Sequence, residues 1–193
     1  MLRIYTPIRF LEIKNNHQNT ANKHIMFIYK IIKEKNLKTY NRDAVYRYAE
    51  KWAFSRNPKY YNFDSIGGDC TNFASQCIYA GCSEMNYNKT NGWYYINVND
   101  RSPSWTATEF LYNFLIRNQS AGPSGTNSTI DKLEIGDIIQ LRFDKINFTH
   151  TLIVIKPGNS VENTLIAAHT YDTFGKSVYE YGYKEFRCIH IEI

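Results

Sequence analysis

Two adjacent glycines and the run they open, Gly67-Gly68-Asp69-Cys70-Thr71-Asn72-Phe73-Ala74-Ser75-Gln76-Cys77, constrain this chain more than any other stretch. The glycines permit a tight turn, and Thr71 to Tyr79 then predicts a helix with Cys70 at or beside its N-terminus. Free backbone N–H groups and the positive end of the helix dipole lower a thiol from about 8.5 towards neutrality, and the same donors can hold an oxyanion. Position alone therefore makes Cys70 a candidate nucleophile. Cys77, Cys82 and Cys188 are better explained as small buried side chains.

Around that stretch the period of the sequence changes once. Asn41 is a plausible N-cap, and Ala44, Val45, Tyr48, Ala49 and Trp52 recur at helical spacing until Asn57-Pro58. Ala80-Gly81 supplies a stop for the Cys70 helix. Asn86 to Ser104 predicts a surface excursion, in which Trp93, Tyr94, Tyr95 and the adjoining Trp105 either pack at the rim of the core or form a platform for substrate. Thr106 to Arg117 is again helical, and Ser120 to Ser128 predicts a loop. Asp137 to Phe143, His150 to Lys156, Thr164 to His169 and Arg187 to Ile193 are short and rich in Ile, Val and Leu, with turn residues between them, which predicts an antiparallel sheet. Pro157-Gly158-Asn159-Ser160 predicts a hairpin between the second and third of these strands. Helices first and strands afterwards give an α+β fold.

Composition excludes several function classes. The 193 residues carry a net charge of +5 with Lys and Arg dispersed among Asp and Glu, so no nucleic-acid surface is indicated. Four cysteines without a Cys-x-x-Cys pair form neither a disulfide framework nor a zinc site, and no cofactor is expected. Met1 to Ile13 lacks the pattern of a signal peptide, and the apolar run Ile25 to Tyr29 is too short to span a bilayer. No integral membrane segment is expected, and compartment stays open between cell wall and cytoplasm. Residues 1–38 differ in composition and predict an appendage with an amphipathic helix over Ala21 to Lys35; residues 39–193 predict one domain, expected to be a monomer.

On the predicted hairpin, His150 begins one strand and His169 ends the next. Neighbouring ends of antiparallel strands meet at one sheet edge, so the two imidazoles and Cys70 form a possible triad. In it Cys70 attacks, His150 accepts the thiol proton, and His169 holds the other nitrogen of His150. Asp69 is free to cap the helix or to contact a substrate amine. Cys70, His150 and His169 are also ligand types that suit zinc, an alternative that stoichiometric metal in the purified protein would reveal.

These residues also carry a resemblance. Asp69-Cys70-Thr71-Asn72-Phe73, Gly136-Asp137-Ile138-Ile139-Gln140, His150-Thr151-Leu152-Ile153-Val154 and Ala168-His169 are similar to the NlpC-type cell-wall peptidases. Tyr40-Asn41-Arg42, Asn57-Pro58-Lys59-Tyr60, the run from Gly67 to Gln76, Ser104-Trp105-Thr106 and His169-Thr170-Tyr171-Asp172 resemble more closely the bacterial putative amidase domain of that broader papain-like superfamily. The resemblance runs from about Tyr40 to near the C-terminus. It implies a papain-like, NlpC-like fold in which the nucleophile helix packs against an antiparallel sheet, and hydrolysis of amide bonds, typically in peptidoglycan peptides. It implies Cys70 as nucleophile, His150 as base and His169 as the orienting residue, with Asp172 as the substitute in that third position. Asp69, Trp93, Trp105 and Asp172 are the candidate substrate contacts. A cysteine acyltransferase with the same triad and a non-catalytic peptide or cell-wall binding module are the alternatives.

Overall fold

The computed structural model describes Met26, residues 39–144 and residues 146–193. The helix expected over Ala21 to Lys35 lies, Met26 apart, outside the described residues. Helix α1, Arg42–Trp52, starts where expected, with the Asn41 side chain accepting a hydrogen bond from the Ala44 N–H at 3.0 Å. It ends five residues before Asn57, because the chain turns so that Ser55 N–H reaches back to the Trp52 carbonyl. Its buried stripe, Val45 and Ala49, faces helix α2, Cys70–Cys82.

Helix α2 is buried on nearly every side, so its polar side chains must find partners within the protein. It runs past the expected stop at Gly81 to Cys82, and Ser83 ends it in the left-handed conformation at φ 54°. Gly81 serves close approach instead, since a Cβ there would lie 2.5 Å from the Tyr40 ring and 2.6 Å from Val45. The polar side chains of α2 make long-range bonds. Thr71 meets Thr108 and Thr151, Ser75 accepts from Trp93 Nε1, Asn72 accepts from Trp105 Nε1, and Gln76 accepts from the Tyr48 hydroxyl. Satisfied polar groups in a core fix one orientation of the helix, because any other would leave them unpaired.

The expected surface excursion of residues 86–104 is a correction. It carries a short hairpin, β1 (Tyr95–Asn97) with β2 (Asp100–Arg101), whose approach inserts Trp93, Tyr94 and Tyr95 into the core. A helical turn, α3 (Pro103–Thr106), and helix α4 (Thr108–Arg117) follow. The remaining strands are β3 (Ser124–Ser128), β4 (Ile138–Arg142), β5 (His150–Lys156), β6 (Leu165–Ala168), β7 (Thr173–Ser177) and β8 (Glu185–Glu192). They form one antiparallel sheet in the order β3-β8-β4-β5-β6-β7. The β5–β6 hairpin is as expected, whereas β3 replaces a predicted loop and β7 was not foreseen.

Both sheet faces are covered. Ile138, Ile153, Ile155, Ala167, Ile189 and Ile191 pack with the helices, while Ile139, Leu141, Leu152, Val154, Ile166 and Ala168 pack with Leu133 and Val178 on the other side. Two-sided burial explains why these strands read as continuous apolar runs. The outcome is an α+β fold in which the start of α2 lies across β5. Among the described residues no helix is long and apolar enough to cross a membrane.

Candidate active site

Gly67 and Gly68 adopt φ values of 87° and 99°, a region that side chains other than glycine rarely occupy. A Cβ on Gly68 would lie 2.9 Å from Thr170 Oγ1, so the turn is pressed against the chain just after β6. Thr170 itself has φ 71°, strained for a β-branched residue. Its hydroxyl accepts the Asp69 N–H at 2.9 Å. The nucleophile turn and the end of β6 thus hold each other.

Asp69 is fully buried and occupies the N-cap position of α2, but its side chain makes no capping bond. Its Oδ1 accepts from Phe63 N–H at 3.0 Å and Asn72 Nδ2 at 2.8 Å, and its Oδ2 lies 2.6 Å from His169 Nδ1 and 3.7 Å from Arg56 Nε. His169 Nε2 lies 2.9 Å from the Trp52 carbonyl at the end of α1. Facing a carboxylate on one side and a carbonyl on the other, both nitrogens need an N–H for both contacts to be hydrogen bonds. His169 is thus held at both nitrogens, at the negative end of α1, and is stacked on Phe73 with ring centres 3.9 Å apart.

Cys70 is the first residue of α2. Its Sγ lies 3.9 Å from the Thr149 carbonyl, to which the thiol donates, and 3.8 Å from Thr71 Oγ1. The Thr151 N–H points back at the sulfur. Burial pushes the thiol above its ordinary value despite these donors, so the expected lowering by the helix start is outweighed by desolvation.

His150 begins β5, as predicted, and sits against the same backbone that holds the Cys70 sulfur. Alternation along the strand decides its direction. Thr151 and Ile153 face the helices, so His150 shares the opposite face with Leu152 and Val154. The pairs Ile153↔Ala167 and Val154↔Ile166 set His169 opposite Thr151, on the helix side. A one-residue offset therefore separates the two imidazoles, and the expected support of His150 by His169 is not made. No hydrogen bond joins His150 to Cys70 or His169, and its Nε2 is buried without a partner among the described residues. Burial, and then the charge of Lys176, lower His150 to about 4, which leaves it a neutral imidazole at pH 7.

His150 opens on a cavity of about 350 Å³ lined also by Phe143, Thr149, Thr170, Lys176 and Tyr181. The Tyr181 ring is 5.5 Å from that of His150. Sequence reasoning missed Tyr181, Lys176 and Thr149, which lie in segments without a motif; Thr170 had a signal in its place beside His169. Of the other candidate substrate contacts, two lie in the core and one in an ion pair. Trp93 and Trp105 are fully buried with ring centres 4.7 Å apart, and both indole N–H groups are spent inside the core. Asp172 accepts from Arg56 at 2.8 and 3.0 Å, and the same guanidinium holds Asp64. Tyr40 and Arg42 latch the turn before β4 through Gly136, Ile135 and Asp137, away from the cysteine. Among the described residues no group of three or more His, Cys, Asp or Glu is arranged to hold a metal ion.

The family model described as "putative amidase domain" matches residues 39–191. An uncharacterized protein of Bacillus subtilis (strain 168), YhbB, is 33% identical over 137 residues, covering 69% of this chain. The chain spans 42% of that relative's length. No solved structure gives a significant match.

Proposed function

Because this chain belongs to the putative amidase domain family, we propose that it is a cysteine-dependent amide hydrolase with Cys70 as nucleophile and His150 as base. The family supports amide hydrolysis. The observation that carries the cysteine mechanism is the placement of the Cys70 sulfur at a helix start, 3.9 Å from the Thr149 carbonyl beside His150, which lines a cavity and whose buried Nε2 has no partner among the described residues.

The resting pair is neutral on both sides, a buried thiol and an unprotonated imidazole. Proton transfer therefore accompanies attack. Rotation of the thiol from the Thr149 carbonyl towards His150 passes its proton to the imidazole as sulfur bonds to the amide carbon. The carbonyl electron pair moves onto oxygen, where the backbone N–H of Cys70 donates to it. The C–N bond then breaks, His150 returns the proton to the leaving amine, and water, deprotonated by His150, releases the acyl group as a carboxylic acid. In apo structures such contacts are commonly open and tighten on binding, which accommodates the missing Cys70–His150 bond. His169 acts at one remove, as a positioning residue that holds Asp69 and with it the turn carrying Cys70.

Peptidoglycan peptides are the proposed substrate, on the resemblance to cell-wall peptidases, and a papain-like ancestry fits a cysteine helix laid on an antiparallel sheet. Mass spectrometry of purified peptidoglycan fragments incubated with wild type and Cys70→Ala tests both. Cleavage by wild type and none by a Cys70→Ala protein that keeps its circular dichroism is expected. Undiminished cleavage by Cys70→Ala would sink the mechanism, and binding without any change in the fragments would favour a binding module.

A further inference from the structure

Three buried side-chain polar atoms have no hydrogen-bond partner among the described residues, and two of them, His150 Nε2 and the Tyr181 hydroxyl, belong to residues lining one cavity. An unpaired buried hydroxyl is costly, and the tyrosine that carries it is held in place by its own turn. It ends the 3-10 turn Val178–Tyr181, which is fastened by reciprocal bonds between Ser177 and Glu180 and anchored by buried Val178. Lys176 Nζ sits 4.4 Å from the centre of its ring. The charged groups around it are accounted for: Glu180 is spent on the Ser177 N–H, and Lys176 rests on the ring face. Tyr181 thus lines the cavity while its buried hydroxyl has no acceptor among the described residues, on the side of the sheet where His150 stands.

We propose that Tyr181 is a catalytic residue of the hydrolysis, its hydroxyl donating a hydrogen bond to the carbonyl oxygen that becomes negative when Cys70 attacks. The inference rests on the cysteine-hydrolase function proposed above. With the Cys70 N–H it gives that oxygen two donors from separate elements. The phenol keeps its proton throughout: burial, followed by the nearby Cys70 and Glu180, pushes it up to about 12, so it stabilises charge and does not exchange protons with His150. The His150 nitrogen that takes the thiol proton is committed to the sulfur and then to the leaving amine, which leaves the division of labour clear: imidazole for the proton, phenol for the oxyanion.

The test uses p-nitrophenyl acetate, an activated ester too small to depend on the natural substrate, with iodoacetamide as the contrast. Acylation by the ester generates an oxyanion; alkylation by iodoacetamide displaces iodide at a saturated carbon and generates none. In the full chain, Tyr181→Phe should slow acylation of Cys70 about 10²-fold while alkylation stays within about twofold of wild type, with the double effect read in one protein preparation. Acylation unchanged in Tyr181→Phe, with Cys70→Ala at background, would overturn the role of Tyr181 alone. Equal slowing of both reactions would also overturn it, since that is the mark of a disturbed fold. Acylation of Cys70→Ala as fast as wild type would instead locate the failure in the cysteine mechanism itself.

Discussion

Replacing Asp69 with alanine removes the carboxylate that holds His169, Phe63 N–H and Asn72 together in a site closed to solvent. Three buried groups lose their acceptor, and leaving a buried polar group unsatisfied costs about 1–3 kcal/mol each, so the loss should be about 4 kcal/mol. With a urea dependence of about 2 kcal/mol per molar for a domain of this size, the unfolding midpoint of Asp69→Ala should fall by roughly 2 M. His169→Phe should cost less, since the carboxylate it strands still accepts two hydrogen bonds and the ring stack on Phe73 is kept. The double variant Asp69→Ala/His169→Phe removes both ends of the contact, so it should be destabilised by less than the sum of the two single losses, a coupling of about 1 kcal/mol or more. Urea titrations of the four proteins measure all three quantities. Strict additivity, or a loss below about 1 kcal/mol in Asp69→Ala, would show that the contact between Asp69 and His169 does not hold the turn.

The depressed His150 makes stability depend on acidity. Between its ordinary value of 6.5 and about 4 the unfolded chain binds the proton that the folded chain excludes, so stability falls as pH falls through that window. At about 1.4 kcal/mol per pH unit the loss reaches about 3 kcal/mol; urea midpoints from pH 7 to pH 4 should flatten in His150→Gln, and parallel curves would contradict the burial of the ring. Gly67 and Gly68 offer an internal comparison, since a Cβ meets nothing within 4 Å at the first and Thr170 at 2.9 Å at the second. Gly67→Ala should cost conformational strain of about 1 kcal/mol and Gly68→Ala clearly more, with the larger drop in melting temperature; equal drops would mean that Thr170 does not press on the turn.

Where the fold was legible, the reason was periodicity. Val45 and Ala49 at helical spacing, the run of α2, and the Ile, Val and Leu segments of β4, β5, β6 and β8 each match the element observed. Strand β3 was not legible because Ser124-Gly125-Thr126-Asn127-Ser128 is an edge strand specified by backbone pairing with β8 and by close approach of Gly125 to Ile189, not by its own side chains. The segment Trp93–Tyr95 was misjudged because polar neighbours mask aromatic side chains whose indole and phenol groups find partners inside. At the candidate site, Cys70 and His150 stand out by position. The partner of His169 does not, since one residue of strand parity decides which face an imidazole takes, and a turn or bulge between two strands sets that parity without a sequence signature.

The sheet order has a consequence for how the chain is made. Strand β8 is last in sequence yet lies between β3 and β4, whereas β4, β5, β6 and β7 follow one another as neighbours. During synthesis the cysteine helix and the four-stranded meander leave the ribosome first, with one flank of β4 still unpaired. A ribosome stalled before Glu185 would hold a chain that has its nucleophile and its base but an open sheet edge. Chaperone engagement with this domain should therefore concentrate in the interval between the emergence of β4 and that of β8.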